Sequence, residues 1–430
     1  MQVKPFGQSI SLRQEIFTGV GVGSPEAALF LISKLNFITP QIKRGMAKAN
    51  TKTGNRCTNP CEYFLTKLIL VTFIMSVKRS EHIIIIWLLA LPLVNFMGFY
   101  EGPKVLFYLV GTIVVIIYLL LCKKQELGKL IKLPDFLFII WLIVLSVSSF
   151  LGVHPVESFI GGSYRHQGVI FFLGLLIIMK FVELLPVKSK QLLLLGFIPI
   201  ICLESLLVIA QKLFNFDLLN NRPMGTFGEP NAVAGFLVVG IYLALKAIKK
   251  VRLNKIILPF IVLAFAAIVV TGSRTALLAS LFVFLGMTRP GLVKPIVIFT
   301  AIVFAFIILK NGLLVRNDSL YENRIVFWQM AVEGIKQRPL LGYGAESGEY
   351  FYNQAFAKAE MPLYQLIVDR SHNLFLDVML WSGIVGLIVF LMWLIVSWKN
   401  GYGLIAWLVF ACLQPLGVVH WILLLLIFKL

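Results

Sequence analysis

Asp369, Arg370, Ser371, His372 and Asn373 put two charges, a hydroxyl, an imidazole and an amide side by side, just where an apolar run begins at Leu374. The chain has only five histidines. A neutral imidazole can take a proton near pH 7. A nearby arginine cluster would lower its pKa and keep it neutral, as a general base needs. His372 is the candidate base; its alternative role is to cap the helix or bond a loop carbonyl. His166 is a weaker candidate on the same side, and His154 and His420 carry no usable pattern.

Arginine supplies the other half of the chemistry. Arg165 sits in GGSYRHQG, Arg222 in NNRPMGTFGEPN and Arg274 in TGSRTALL, while Arg316, Arg324, Arg338 and Arg370 fall in one long polar segment. A guanidinium is a planar fork that binds phosphate bidentately, so converging arginines suggest a phosphate or pyrophosphate ligand. Arg316 and Arg338 read first as solvated loop charges. Arg274 lies between two apolar runs, where an unpaired charge is costly and usually has a function. There is no DxD, no HExxH and no carboxylate cluster suited to Mg²⁺, and the CxxxC of Cys57 and Cys61 lacks a second half-site. No metal and no other cofactor is expected, so charge must be handled by arginine and lysine. Glu204 and Asp377 are acids inside expected spans and candidate partners for buried arginines. Asp377 is five residues from His372, so on a regular helix it faces away from it.

These side chains need elements to hold them. The chain has 430 residues, 59% of them hydrophobic, with a mean hydropathy of +0.90. Apolar runs of bilayer-spanning length recur from Ile83 onward, continuous rather than alternating, which excludes a β-barrel. The fold class is an all-α polytopic membrane protein. About twelve spans are expected: 83–100, 105–122, 136–151, 168–185, 191–211, 232–248, 256–271, 275–287, 294–310, 373–396, 402–416 and 418–429. The formal charge of +19 reads as topology and not as nucleic-acid binding: lysines dominate the loops expected inside, among them Lys123, Lys188, Lys249 and Lys399. Arginines dominate the loops expected outside.

The expected organisation is a basic tail, 1–74, then nine spans over 75–310, an extracytoplasmic loop over 311–371, and the last spans over 372–430. The tail reads either as a disordered cytoplasmic segment or as non-native sequence ahead of a start at Met75. In the loop, Ile325, Trp328, Val332 and Ile335 share one helical stripe that Pro339 ends. Gly342 and Gly344 permit a tight turn near a ligand, and Phe327 and Trp328 suit a membrane-surface helix.

The segments RPMGTFGEPNAVAGFL, VVTGSRTALLASL, ENRIVFWQMAVEGIKQRPLLGYG and SHNLFLDVMLWSGIVGLIVFL, in that order over roughly 80–430, resemble the O-antigen ligase superfamily. That family comprises O-antigen ligases, O-antigen polymerases and protein O-oligosaccharyltransferases. The resemblance implies a metal-independent, GT-C-like glycosyltransferase in the bacterial plasma membrane. It would move a glycan from undecaprenyl pyrophosphate to an acceptor hydroxyl on a glycan, lipid or protein, with its active site on the extracytoplasmic face. By motif, His372, Arg274 and Arg324 take catalytic places and Arg222 a donor-binding place, with Arg165, Arg338 and Arg370 as further substrate-binding candidates. A polymerase of the same family is the close alternative. A transporter or flippase is more distant, because no internal repeat joins the two halves.

Overall fold

The computed structural model describes residues 80–95, 100–123, 131–251, 257–285, 324–358, 368–398 and 401–430. All lie in the unit Met75–Leu430. The basic tail with Cys57 and Cys61, the expected ninth span at 294–310, and Arg316 fall outside the described residues.

Among these residues the chain is helical but for one two-stranded hairpin. The helices are α1 Ser80–Leu93, α2 Glu101–Cys122, α3 Leu133–Phe150, α4 Pro155–Ile160, α5 Val169–Leu184 and α6 Val187–Phe214. The hairpin strands β1 Leu218–Leu219 and β2 Arg222–Pro223 follow. Then come α7 Pro230–Val251, α8 Ile257–Thr271, α9 Arg274–Leu285, α10 Arg324–Gln337, α11 Gly348–Lys358, α12 Leu374–Ser397, α13 Gly401–Ala411 and α14 Val418–Lys429. Five of them, α2, α3, α6, α7 and α12, are long and apolar enough to cross a membrane, and several more are shorter apolar helices. The chain is a multi-pass helical membrane protein.

The last helix shows why the fold holds together. Its residues from Val418 to Phe428 are all buried. A helix apolar on every side belongs in an interior, and α14 packs against α2, α5, α7 and α13. Trp421 meets Phe172 edge-on with ring centroids 5.2 Å apart, and Trp393 meets Phe428 at 5.4 Å. The buried His420 is fully used: its Nδ1 accepts from Gly417 N at 3.2 Å, and its Nε2 donates to Ala232 O at 3.0 Å. That bonding makes it structural. At the far ends of α3, α5 and α14, Lys180 and Lys429 close on Asp135 and Glu183.

Helix α12 is broken. Gly383 has φ 64° and ψ −169° inside it, which frees backbone groups that lipid could not satisfy. The turn after α10 fills the gap. Tyr343 N donates to Leu380 O at 2.7 Å, Gly344 N to Trp381 O at 2.9 Å, and Ile384 N to Pro339 O at 2.8 Å. Ser148 of α3 donates from its hydroxyl to Trp381 O at the same place. The close neighbour of the Gly342–Gly344 turn is therefore a helix backbone. A Cβ on Gly383 would stand 2.0 Å from Leu340 O, and one on Gly342 2.3 Å from Leu380 O. Gly383→Ala is expected to destabilise the protein by at least about 1–3 kcal/mol from the backbone conformation alone, with the clash added. A thermal-unfolding comparison in detergent measures it, and an unchanged midpoint would exclude this packing.

Helix α10 corrects the expected stripe. Phe327, Ala331, Gly334 and Ile335 are buried with Arg324, whereas Ile325 and Val332 are each 41% exposed. Periodicity marks an apolar face, but lipid and protein interior are both apolar. Here the face carrying Arg324 and Phe327 turns to α12 and its preceding loop.

Candidate active site

Four loops meet at the end of the bundle where α12 begins: 161–168, 222–231, 343–349 and 368–373. Charge holds them. Arg165 pairs with Asp369 through Nε, and Arg370 pairs with Glu346 through Nη2. Gly162 N donates to Glu346 at 3.3 Å, and the Ser163 hydroxyl donates to Glu349 at 2.8 Å. The Arg370 guanidinium also lies over the Trp381 ring, 4.2 Å from its centroid. Arg165, Arg370 and Glu346 are almost fully buried, and a buried charge persists only when paired. Burial works against the Arg165 cation, but Asp369, Tyr164, Glu101 and Glu229 together outweigh it and hold its pKa above the ordinary value.

His372 sits between these loops. Its backbone is left-handed, φ 61°, a conformation uncommon for a non-glycine residue. Its ring meets Phe327 edge-on, centroids 5.4 Å apart. Arg324 lies one helical turn before Phe327 on α10, on the same buried face. The imidazole is half-buried. Burial, reinforced by Arg324 and Arg165 and opposed by Asp369, lowers its pKa to about 3. The ring is neutral throughout the physiological range.

The second half of the site is built from β2 and the starts of α7 and α9. Arg222 Nε donates to Thr271 O at 2.8 Å, and its Nη2 donates to Asn231 Oδ1 at 2.9 Å. Thr271 ends α8, and Arg274 opens α9 three residues later, buried. Asn231 in turn donates to Glu229 at 3.3 Å. Glu229 joins the two halves: burial raises its pKa, while Arg165 and Arg222 pull it down. Glu204 does not pair with an arginine. It accepts from Thr226 N at 3.3 Å and from the Thr226 hydroxyl, which pins the loop that presents Glu229.

The structure thus brings together His372, Arg324 and Arg165, and separately Arg222 and the Thr271–Arg274 turn, with Glu229 between. Arg338 stands apart, exposed at the end of α10 over the Tyr343 ring. His166, also left-handed at φ 53°, packs by the Gly161 backbone, and His154 meets Tyr350 edge-on at 4.5 Å. Asp369, Glu346 and Glu229 were not assigned from sequence. Their one signal was that arginine-rich loops carried acids too, which names no pairs. No group of three His, Cys, Asp or Glu side chains able to hold a metal occurs among the described residues.

Residues 259–391, from α8 into α12, match the family model described as O-antigen ligase. The match includes Arg274, Arg324, Arg338, Arg370 and His372, and leaves out Arg165 and Arg222. Residues 259–391 thus carry an O-antigen ligase family segment. It is similar to the general O-oligosaccharyltransferase of Acinetobacter baylyi, 26% identical over 229 residues, covering 47% of this chain and 40% of the relative. It is also similar to the ComP-specific O-oligosaccharyltransferase of the same organism, 26% identical over 314 residues, covering 63% of this chain and 54% of the relative. The chain spans about half the length of the curated relatives it matches.

Proposed function

We propose that this protein transfers a glycan from undecaprenyl pyrophosphate to an acceptor hydroxyl, without a metal, on the extracytoplasmic face of the bacterial plasma membrane. The observation that carries the reading is the neutral imidazole of His372 packed against the α10 face that bears Arg324, at the end of a membrane bundle. The acceptor O–H attacks the anomeric carbon, and its proton passes to His372. The sugar–phosphate bond breaks, and the lipid pyrophosphate leaves with the electron pair. Arg324, Arg274 and Arg222 hold the pyrophosphate and stabilise the charge it gains. Arg165, Arg370 and their carboxylates hold the loops in register. The shared core does not choose the acceptor: one relative is by name specific for ComP and the other is by name general. A polymerase reading uses the same machinery with a growing lipid-linked glycan as acceptor.

Purified protein supplied with a lipid-linked glycan and candidate acceptors tests the proposal. Transfer that persists in EDTA is expected; transfer lost to chelator and restored by Mg²⁺ or Mn²⁺ would overturn metal independence.

The electrostatics add a pH signature. In the free protein His372 binds a proton only near pH 3, which makes it a weak base. A bound pyrophosphate offsets the arginines, favours the imidazolium and raises that pKa. The acid limb of kcat/KM reports the free protein and that of kcat the complex. The kcat limb is therefore expected at the higher pH. Coincident limbs would show that the donor's charge does not reach His372.

A further inference from the structure

We propose that Asp377 is a positioning residue for His372, acting through Ser371. Its carboxylate is almost wholly buried in the first turn of α12. One oxygen, Oδ1, accepts from Ser371 N at 2.7 Å and from the Ser371 hydroxyl at 2.7 Å. Ser371 is itself fully buried. The residue on the other side of His372 is fixed as well. Asn373 caps α12, its Oδ1 accepting from Phe375 N at 3.0 Å and Leu376 N at 3.3 Å. His372 is thus a single left-handed residue held between two clamps.

The arrangement follows from the chemistry of each group. A left-handed residue with a Cβ is costly unless its neighbours impose it. The N-terminus of a helix favours a carboxylate, and a buried carboxylate needs donors. Asp377 meets both conditions by reaching back beyond the cap to the residue before the histidine. A helix that needed only a cap has one in Asn373, so the second clamp falls to the loop. Without it the Ser371 N–H loses its acceptor, and Ser371 keeps the contacts of its hydroxyl with Asn373 O at 2.8 Å and Asn373 N at 3.1 Å, which tie it to the other flank of His372 and not to α12. The proposal rests on the reading of His372 as the base, and it gives Asp377 no contact with substrate.

Four variants test it: Asp377→Ala, Asp377→Asn, Ser371→Ala and His372→Ala. Asparagine keeps the accepting oxygen, so D377N is expected to transfer close to the wild-type rate. D377A is expected to lose about 10- to 100-fold in kcat, the scale of a misplaced reacting group, with donor KM unchanged. S371A removes the hydroxyl bond to Asp377 and the hydroxyl's contacts with Asn373, keeps the bond from Ser371 N to Asp377, and is expected to show a smaller loss of the same kind. In an H372A background supplied with free imidazole, D377A should cost nothing further, because the group it positions is gone. An equal loss in both backgrounds, or D377N as impaired as D377A, would show a merely structural carboxylate. A readout independent of transfer is the rate at which diethyl pyrocarbonate modifies His372, followed by mass spectrometry. D377A is expected to change that rate and D377N to leave it as in wild type. If no donor supports transfer by the wild-type protein, the base reading falls, while this rate still decides whether Asp377 fixes the histidine. Identical rates in wild type and D377A would overturn the positioning role.

Discussion

His372→Ala is expected to lower glycan transfer by roughly 10²–10⁴-fold, the usual worth of a general base, while the lipid donor still binds. The geometry separates those two effects. His372 meets Phe327 and is influenced by Arg324 and Arg165, so its removal deletes a proton acceptor and no phosphate ligand. Its side chain is half-buried, and it is the clamps on Ser371 and Asn373 that shape the loop, so the variant should insert and fold. Steady-state transfer together with a donor-binding titration is the measurement. Wild-type turnover in well-inserted His372→Ala would make the histidine structural and remove the mechanism proposed above.

Arg324→Ala is expected to cost about 10²–10³-fold in turnover, the scale for removing one preorganised donor to a developing negative charge. Arg324→Lys should recover only part of this, because an ammonium keeps the charge and loses the fork. Arg274→Lys is expected to be impaired for the same reason. Arg324 carries a second signature: its charge lowers the His372 pKa, so Arg324→Ala should move the acid limb of kcat/KM to higher pH. Arg165 and Arg370 behave differently. Each is matched with a buried or half-buried carboxylate; truncating Arg370 leaves Glu346 without its cation, a loss of about 3–5 kcal/mol in stability, whereas truncating Arg165 leaves Asp369 its longer contact with Arg370 at 3.8 Å and costs less. Full donor affinity and full rate in both Arg274→Lys and Arg324→Lys would exclude these arginines as the pyrophosphate clamp. A Tm drop with turnover retained in Arg165→Ala identifies that residue as scaffold.

Much of the class of this protein was legible in the chain. Continuous apolar runs require helices in a bilayer, since only a helix satisfies its own backbone there. The arginines and His372 stood out because charge is scarce in such a chain and has to be accounted for. The order of four short motifs carried the family resemblance. What the chain could not show was which partner each charge takes. Arg165 and Asp369 are 204 positions apart, and Arg370 and Glu346 are 24 apart in a different turn; only the packing of four loops brings them together. Periodicity could not tell the buried face of α10 from its exposed one, because lipid and core reward the same residues. Nor could it place the break at Gly383, which exists because the Pro339–Gly344 turn supplies its hydrogen bonds from another part of the chain. Helical spacing alone sets Asp377 away from His372. The tertiary structure decided that its carboxylate would reach back to Ser371 instead, because a buried acid must find donors and the nearest lie in the loop that carries the histidine.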